Sequence, residues 1–448
     1  MAGNFVSTTN PCRMCRPLGA CLAFRGIEDS MVLLHGSQGC STYMRRYISS
    51  HFREPVDIAS SSLSEKSAVY GGAESLKRGV KNVVDRYSPR VLGIATTCLT
   101  ETIGDDVELI IGELLRDEPA LREVEIIPVS TPSYSGGHYN GFHDSCVALI
   151  SRLAQGGPRG DGVNLFPGFL SPADIRHLKD VMDGFGLSAV IIPDISETLD
   201  GGIVDSYRRI PAGGTPLEAV RRTGTAAFSL EFSAATPGRQ SAALLLKESF
   251  SVPAERLPAP IGISYSDRFF QAVSRRAGRP VPEHFARQRE RLLDAMVDAH
   301  KYLSGKRAAV YGDPDFVLGL SSFLADVGVV PAVIASGGGG REFISELELA
   351  CAHLEDPPEI LTYTDFGEIA RAAAASGVDL LVGTSKGNHI ARELQVPLMR
   401  AGFPIHDRIG GQRMLHVGYA GAMALLDLLT NTIIAGAQDE LGYGYSYM

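Results

Sequence analysis

The sequence predicts an α/β protein built from three doubly wound, parallel-sheet (Rossmann-like) domains. A short apolar strand is repeatedly followed by a turn rich in Gly, Ser or Pro and then by an amphipathic helix, which is the pattern of parallel α/β layers. The length of 448 residues allows about three domains of ~150 residues each. The content of 44% hydrophobic and 21% charged residues is that of an ordinary globular protein.

The predicted strands are short apolar runs that end in small or polar residues: 90–98, 124–133, 163–169, 189–195, 331–336, 379–385 and 397–404. A charged amphipathic helix is predicted over 283–303, and a strand–turn–helix unit follows over 306–328. These elements divide the chain into three α/β domains, the first with most of the cysteines and the third with a C-terminal helix: 1–160, 161–300 and 301–448.

The charge and the termini exclude several classes of partner. A formal net charge of −9 and a pI near 5.7 argue against nucleic-acid binding, which requires a basic face. The N-terminal run MAGNFVSTTNPC lacks the pattern of a secretory signal. The apolar stretch 416–437 is interrupted by Asp427 and Asn431, so we interpret it as a buried helix rather than a membrane span. A cytoplasmic location without membrane contact is expected.

Nucleotide-binding loops are absent from the sequence, which contains neither GxGxxG nor GxxxxGK[ST]. The run Ser336–Gly340 is rich in glycine and follows a predicted strand. Such a run could hold an anion on its backbone N–H groups, but a flexible loop is the favoured interpretation.

Seven cysteines occur in this chain, and four of them lie in the first 40 residues. Cys15, Cys40 and Cys98 each lie in a segment rich in Gly, Pro, Ser or Thr, where the backbone can approach a bulky ligand. Thiolates that converge from separate loops are the usual ligands of iron–sulfur clusters. Cys146 and Cys351 are expected to be ordinary buried thiols.

Zinc binding and thiol–disulfide chemistry are alternatives for the pair Cys12 and Cys15, which form a CxxC. A structural zinc site needs a second close pair of Cys or His, and the sequence offers none. The flanking Pro11 and Pro17 fit a thioredoxin-like motif poorly. The spacing alone leaves an iron–sulfur role and a role as ordinary thiols equally open.

The whole chain resembles the nitrogenase component 1 superfamily, and specifically its β-type branch. The resemblance rests on segments along the full length: NPCRMCRPLGA, HGSQGCSTYMRRYISSHFREP, TTCLTETIGDD, TPSYSGGHYNGF, KRAAVYGDPD, GTSKGNHIAREL and GFPIHDRIGGQRMLHVGYAGAM. It implies an oxidoreductase subunit that shares an 8Fe-7S P-cluster with an α-type partner. Cys15, Cys40 and Cys98 match its cysteine ligands, and their intervals of 25 and 58 residues match the β-type pattern.

Two further residues match positions near that cluster. Ser133 matches a serine that can ligate the oxidised cluster, and Tyr43 matches a neighbouring tyrosine. Cys12 and Cys21 match no ligand. The resemblance leaves one alternative, a non-catalytic N-type scaffold for cofactor assembly, which typically keeps only the HGSQGC cysteine and shares a 4Fe-4S cluster. The C-terminal segment is at least as scaffold-like as it is nitrogenase-like, whereas three retained cysteines favour the catalytic type.

The resemblance also implies a larger assembly. An α-type subunit would carry the substrate-reducing cofactor in an α2β2 heterotetramer, and an ATP-dependent iron protein homodimer with its own 4Fe-4S cluster would deliver electrons. The short segment before NPC makes a molybdenum-type β subunit less expected. A methylthio-alkane reductase, which reduces C–S bonds, fits best, and an N2-reducing alternative nitrogenase is the other catalytic candidate. The sequence names neither the substrate nor the partner's metal.

Polar residues near the cysteines receive structural interpretations. The carboxylates Glu101, Asp105 and Asp106 are expected to be helix N-terminal charges rather than docking residues. His35 is expected to be structural, and His406 and His416 match no ligand.

Overall fold

The computed structural model describes residues 10–203, 206 and 208–440; the N-terminal run before Asn10, where we expected no signal, lies outside them. In that part of the chain every strand pairing between named strands is parallel, and the strands form three sheets. The predicted α/β class with three doubly wound parallel sheets is confirmed.

The first sheet has the order β2-β1-β3-β4, with β1 Ser30–His35, β2 Ala59–Ser60, β3 Val91–Thr96 and β4 Glu125–Val129. The second has the order β6-β5-β7-β8, with β5 Val163–Phe166, β6 Ala189–Ile191, β7 Phe228–Phe232 and β8 Ala254–Leu257. The third has the order β11-β10-β9-β12-β13, with β9 Arg307–Gly312, β10 Val330–Ser336, β11 Glu359–Thr362, β12 Leu380–Gly383 and β13 Leu398–Arg400.

The helices that cover these sheets are α1 Arg16–Arg25, α2 Gln38–Phe52, α3 Glu65–Tyr70, α4 Ala73–Tyr87, α5 Cys98–Ile103, α6 Val107–Asp117, α7 His138–Leu153, α8 Pro172–Gly184, α9 Leu217–Arg221, α10 Ala242–Phe250, α11 Gly262–Ala277, α12 Glu283–Leu303, α13 Pro314–Asp326, α14 Arg341–Ala350, α15 Phe366–Ala375, α16 Asn388–Leu394 and α17 Gly418–Glu440. Short 3₁₀ turns lie at Pro119–Glu123, Ser133–Ser135, Arg222–Thr225, Gly238–Gln240, Ser385–Gly387 and Gly411–Arg413.

The central strands are covered by helices on both faces. Every residue of β1 and β3 is buried, which explains why these strands are continuous apolar runs without alternation. The strand predicted over 124–133 ends earlier, at Val129, and Ser133 begins a 3₁₀ turn. The helix predicted over 283–303 is confirmed as α12.

Buried contacts tie the C-terminal part of the chain to earlier segments. Asp174 in α8 accepts hydrogen bonds from the backbone N–H and the Nδ1 of His416, at 2.6 and 2.7 Å. Burial alone would raise the pKa of Asp174, but the charge and hydrogen bonds of His416 lower it. One continuous hydrophobic core includes side chains from all three sheets. The division near residues 160 and 300 stays a prediction.

The C-terminal helix α17 is buried on one face only. Its inner side chains Tyr419, Leu425 and Leu429 are buried, and the helix packs on α11 and α12. Only 28% of its most apolar 18-residue window is buried, so the predicted buried helix is exposed on its outer face. Among the described residues it is the one helix long and apolar enough to cross a membrane, a criterion that core helices of soluble proteins also meet.

Helices α1 and α7 cross so closely that glycine is required at both contact points. A Cβ atom on Gly19 would lie 1.7 Å from the carbonyl oxygen of His138, and one on Gly141 would lie 2.0 Å from that of Arg16. Real Cβ atoms do not approach backbone oxygens to these distances. The crossing therefore fixes the start of α1 against the start of α7.

We expect Gly19→Ala to destabilise the protein by about 1–3 kcal/mol, because the two backbones must separate to admit a methyl group. Gly112→Ala is the matched control: Gly112 is exposed within α6, and a Cβ atom at this position would have no neighbour within 4 Å. This control should stabilise by about 0.5–1 kcal/mol, since alanine favours a helix interior. Thermal denaturation of the purified protein measures both, and equal effects would show that the crossing tolerates a side chain.

Candidate iron–sulfur site

The three predicted cysteines each lie at the N-terminal end of a helix. Cys15 is the residue that precedes α1, Cys40 is in the first turn of α2, and Cys98 is the first residue of α5. Backbone N–H groups and the helix dipole favour negative charge at such positions, and they favour the thiolate form of a cysteine. The protein thus presents three thiols in settings suited to binding metal.

The fold brings these positions to one edge of the first sheet. The segments with Cys40 and Cys98 follow β1 and β3, and Ser133 follows β4, so all three lie beyond the carboxyl ends of parallel strands, where ligands bind in doubly wound sheets. Cys15 joins them from α1, and its backbone forms an isolated antiparallel bridge with Gly137 at the start of α7.

Ser133 connects two of the cysteines. Its backbone N–H donates to the Cys98 Sγ at 3.2 Å, and its Oγ accepts the backbone N–H of Arg16 at 3.1 Å. Its hydroxyl also hydrogen-bonds to the Cys15 thiol. Cys40 has a local hydroxyl partner as well, because the Oγ of Ser37 lies 3.8 Å from its Sγ. Ser133 therefore contacts both the Cys98 sulfur and the segment that carries Cys15.

The electrostatics of Cys15 show that the three thiols influence one another. Burial raises the pKa of Cys15, and negative charge on Cys98 and on Cys40 raises it further, whereas hydrogen bonds from Ser133 and Tyr43 oppose the change. Burial likewise raises the pKa of Tyr43, with the charge of Cys15 as a second cause. Tyr43 therefore stays a neutral hydroxyl that contacts the thiol.

The site opens onto the surface. Cys15 and Cys40 are half-buried and Cys98 is exposed, while the adjacent Leu99 and Tyr134 are 37% and 61% exposed. Among the residues described, no three His, Cys, Asp or Glu side chains are close enough to hold a single metal ion. Soft thiolates that converge from separate helix ends are the ligand type of iron–sulfur clusters.

Neighbouring polar residues have structural partners. His35 is buried between the Ser61 Oγ at 2.9 Å and the Asp105 Oδ2 at 3.1 Å, which confirms its structural interpretation. Asp106 caps α6 by accepting the backbone N–H of Leu109 at 3.0 Å, as expected of a helix N-terminal charge.

Two of these carboxylates do more than was expected from the sequence. Glu101 accepts hydrogen bonds from Thr96 and Ser130, at 2.5 and 2.6 Å, so it joins the loops that carry Cys98 and Ser133. Asp105 accepts the backbone N–H of Gly72 at 3.0 Å in addition to its contact with His35. Both residues support the loops around the cysteines, a role that depends on contacts distant in sequence.

The remaining cysteines are buried. Cys146 and Cys351 lie in the hydrophobic core, as predicted, and Cys21 is buried in α1. Cys12 points away from the first sheet and packs against the third, with side chains such as Tyr311 and Phe366. Burial raises its pKa to about 12.

The glycine run Ser336–Gly340 is not a free loop, so the interpretation of it as flexible is wrong. Four of its five residues are buried, and a Cβ on Gly337 would lie 2.3 Å from the carbonyl oxygen of Cys12. Gly337 is needed because the N-terminal segment packs directly on this turn.

Sequence reasoning missed two residues near the site. Arg16 forms an ion pair with Asp144 and also donates to Ser135, and thereby holds the Cys15 segment against α7. Lys386, within the GTSKGNH segment, donates to the carbonyl oxygen of Pro11 at 3.2 Å. Lys386 could have been found from the sequence, because it lies in the turn that follows a buried strand.

Three parallel sheets with three cysteines gathered toward one open edge define an α/β protein with a candidate metal-binding edge. The model of the family "Nitrogenase component 1 type Oxidoreductase" matches residues 15–434. The molybdenum-iron protein β chain of Clostridium pasteurianum is 36% identical over 96% of this chain and 94% of its own length. The vanadium-iron protein β chain of Trichormus variabilis is 36% identical over 95% and 94%.

A solved structure, "Nitrogenase Cp1 at pH 6.5", aligns with a TM-score of 0.94 and 34% identity, covering 100% of this chain and 98% of that one. The chain belongs to the nitrogenase component 1 family and is a β-type subunit of an oxidoreductase complex.

Replacing Ser133 with alanine should raise the pKa of the Cys15 thiol further, because the hydrogen bond that opposes the effect of burial is lost. Alkylation of Cys15 by iodoacetamide in the metal-free chain should then slow at neutral pH and recover only at higher pH. Peptide mass spectrometry of Cys15 measures the rate. Ser50→Ala is the control, since its hydroxyl bonds to the carbonyl of Tyr47 within α2; an unchanged pH profile in Ser133→Ala would exclude the contact.

Proposed function

We propose that this chain is the electron-relay β subunit of a nitrogenase-like reductase. An 8Fe-7S cluster shared with an α-type subunit is held on this side by Cys15, Cys40 and Cys98, with Ser133 as a further ligand of the oxidised form. The observation that supports this most is the arrangement of three thiols at three helix N-termini along one open edge. A 4Fe-4S cluster on a scaffold subunit is the alternative.

In electron transfer, the role of this chain's residues is to stabilise the negatively charged ligands of the cluster. A bound cluster supplies reversible one-electron storage. Each of the three cysteines lies at a helix N-terminus, where backbone N–H groups and the helix dipole favour a negatively charged ligand, and the N–H of Ser133 donates to the Cys98 sulfur. The hydroxyl of Ser133 lies between Cys15 and the backbone N–H of Arg16, from where it can supply a hard oxygen ligand. Such outer hydrogen bonds adjust the potential of a metal site.

The surface around the cysteines suits a protein partner. Val69 and Tyr70 at the end of α3 are 76% and 82% exposed, and Leu99 and Tyr134 flank the thiols. Exposed apolar side chains of this kind mark interaction sites. We assign this face to the α-type subunit of an α2β2 assembly. The ATP-dependent iron protein, with its own 4Fe-4S cluster, delivers electrons to that assembly in the cytoplasm.

The reaction of the complex is proposed to be that of a methylthio-alkane reductase. The chain is equally identical, at 36%, to molybdenum-iron and vanadium-iron β chains, so it is no nearer to one of these N2-reducing classes than to the other. The overall step adds two electrons and two protons to a methylthio-alkane, breaks one C–S bond, and releases methanethiol and an alkane. An N2-reducing alternative nitrogenase is the second candidate.

The cluster assignment predicts iron loss in specific variants. Cys15→Ala and Cys98→Ala should each remove or alter the interface cluster of the complex purified without oxygen, because each removes a thiolate ligand. Iron per heterodimer and the electron paramagnetic resonance spectrum measure this. Cys146→Ala is the matched control, since this cysteine is buried in α7 within the core.

An intact cluster in both Cys15→Ala and Cys98→Ala would contradict the 8Fe-7S assignment. The scaffold would be identified instead if the complex held only about four irons at this cluster and only Cys40→Ala lost them. Iron content therefore separates the two functions without an assay of activity.

The substrate proposal predicts the product. Supplied with the iron protein, ATP and a reductant, the complex should release methanethiol from dimethyl sulfide, together with methane. Gas chromatography of the headspace measures both products. Ammonia from N2 as the main product, with no methanethiol, would identify an N2-reducing nitrogenase.

A further inference from the structure

The third sheet has a crevice at the point where its strand order reverses. The chain proceeds from β9 to β10 and β11 on one side, then from β12 to β13 on the other. Doubly wound domains bind their ligands at such a switch point, beyond the carboxyl ends of the two central strands. Here these are the ends of β9 and β12.

In this protein the N-terminal segment lies in that region. Pro11 forms an antiparallel bridge with Asp365, and the N–H of Cys12 donates to the carbonyl oxygen of Thr364 at 3.1 Å. The Cys12 sulfur accepts the backbone N–H groups of Gly312, the last residue of β9, and of Gly337, which follows β10. The third sheet therefore holds the residues that lead directly into Cys15.

Lys386 projects from the 3₁₀ turn that follows β12 and meets the same segment. Its Nζ donates to the carbonyl oxygen of Pro11 at 3.2 Å and lies 5.7 Å from the centre of the Phe366 ring. Phe366 is buried, so the ammonium group rests on an apolar face at the base of the cysteine segment.

Lys386 lines a small cavity together with Cys12 and Met14, and among the described residues it forms no ion pair there. Within residues 10–203, 206 and 208–440, no carboxylate lies within ion-pair distance of its Nζ. Asp313, which lines the same small cavity, is 3.1 Å from the Nε2 of His138. Burial lowers the pKa of Lys386, and a thiolate at Cys12 or at Cys15 would oppose that change.

We propose that Lys386 is a positioning residue whose positive charge raises the reduction potential of the iron–sulfur cluster at Cys15. This inference rests on the proposed function, which places the cluster there. A nearby cation stabilises the cluster after it gains an electron, since net charge and surroundings set such potentials. The couple exchanges one electron with an external donor, and no bond to Lys386 forms or breaks.

The test compares three lysine variants in the complete complex, purified without oxygen. Lys386→Met removes the charge and should shift the one-electron equilibrium toward the oxidised form by about tenfold, a midpoint about 59 mV more negative. Lys386→Arg keeps the charge and should stay near the wild-type midpoint. Lys306→Met is the matched control, because Lys306 precedes β9 at the opposite end of the same sheet and pairs with Asp379 at 3.4 Å.

Midpoints are read from the paramagnetic resonance signal during titration with dithionite and mediator dyes, and iron is counted in every sample. Full iron with an unchanged midpoint in Lys386→Met overturns the proposal, as does an equal shift in Lys306→Met. Absence of an interface cluster from the wild-type complex overturns the proposed function instead.

A loss of iron in Lys386→Met is resolved with Lys386→Gln, whose amide can still donate to the Pro11 carbonyl. A loaded Lys386→Gln complex with a lowered midpoint supports the proposal. Iron loss in both neutral variants, with full iron in Lys386→Arg, assigns Lys386 to holding the segment and overturns a role in setting the potential.

Discussion

The close crossing of α1 and α7 is the contact on which the cysteine edge depends. Gly19 and Gly141 bring each backbone to the surface of the other helix, and no other residue type fits there. The start of α1 is thereby fixed beside the start of α7, where Gly137 bridges Cys15. Hydrogen bonds then link the start of α1 to Ser133, and Ser133 to Cys98. A packing constraint between two helices thus determines the relative placement of thiols from separate loops.

Electrostatic interactions also contribute to the cysteine edge. Each thiol lies at a helix N-terminus, and the half-buried Cys15 also receives hydrogen bonds from Ser133 and Tyr43. These groups offset the cost of placing several negative charges together in a partly buried setting. Lys386 supplies a full positive charge from the third sheet. Groups that favour negative charge are therefore concentrated at this edge.

The sequence predicted the parallel α/β architecture because strands buried on both faces leave continuous apolar runs, and it predicted helix α12 from its amphipathic pattern. It located the three cysteines and Ser133 by local motif. It did not predict the contacts that organise them, since Glu101 with Ser130 and Lys386 with Pro11 join residues far apart in the chain. The glycine run after β10 was misinterpreted for the same reason. Gly337 is small enough for the backbone of Cys12 to pack against it, and it does not make the loop flexible. The outer face of α17 was likewise not predictable from hydrophobicity alone.

The packing of the N-terminal segment on the third sheet has a consequence for biosynthesis. Pro11 and Cys12 are translated long before their partners Thr364, Asp365 and Lys386. This segment can therefore reach its final position only after the third sheet has been synthesised. A chain truncated before the third sheet would keep Cys15, Cys40 and Cys98 but would lose these contacts of Pro11 and Cys12.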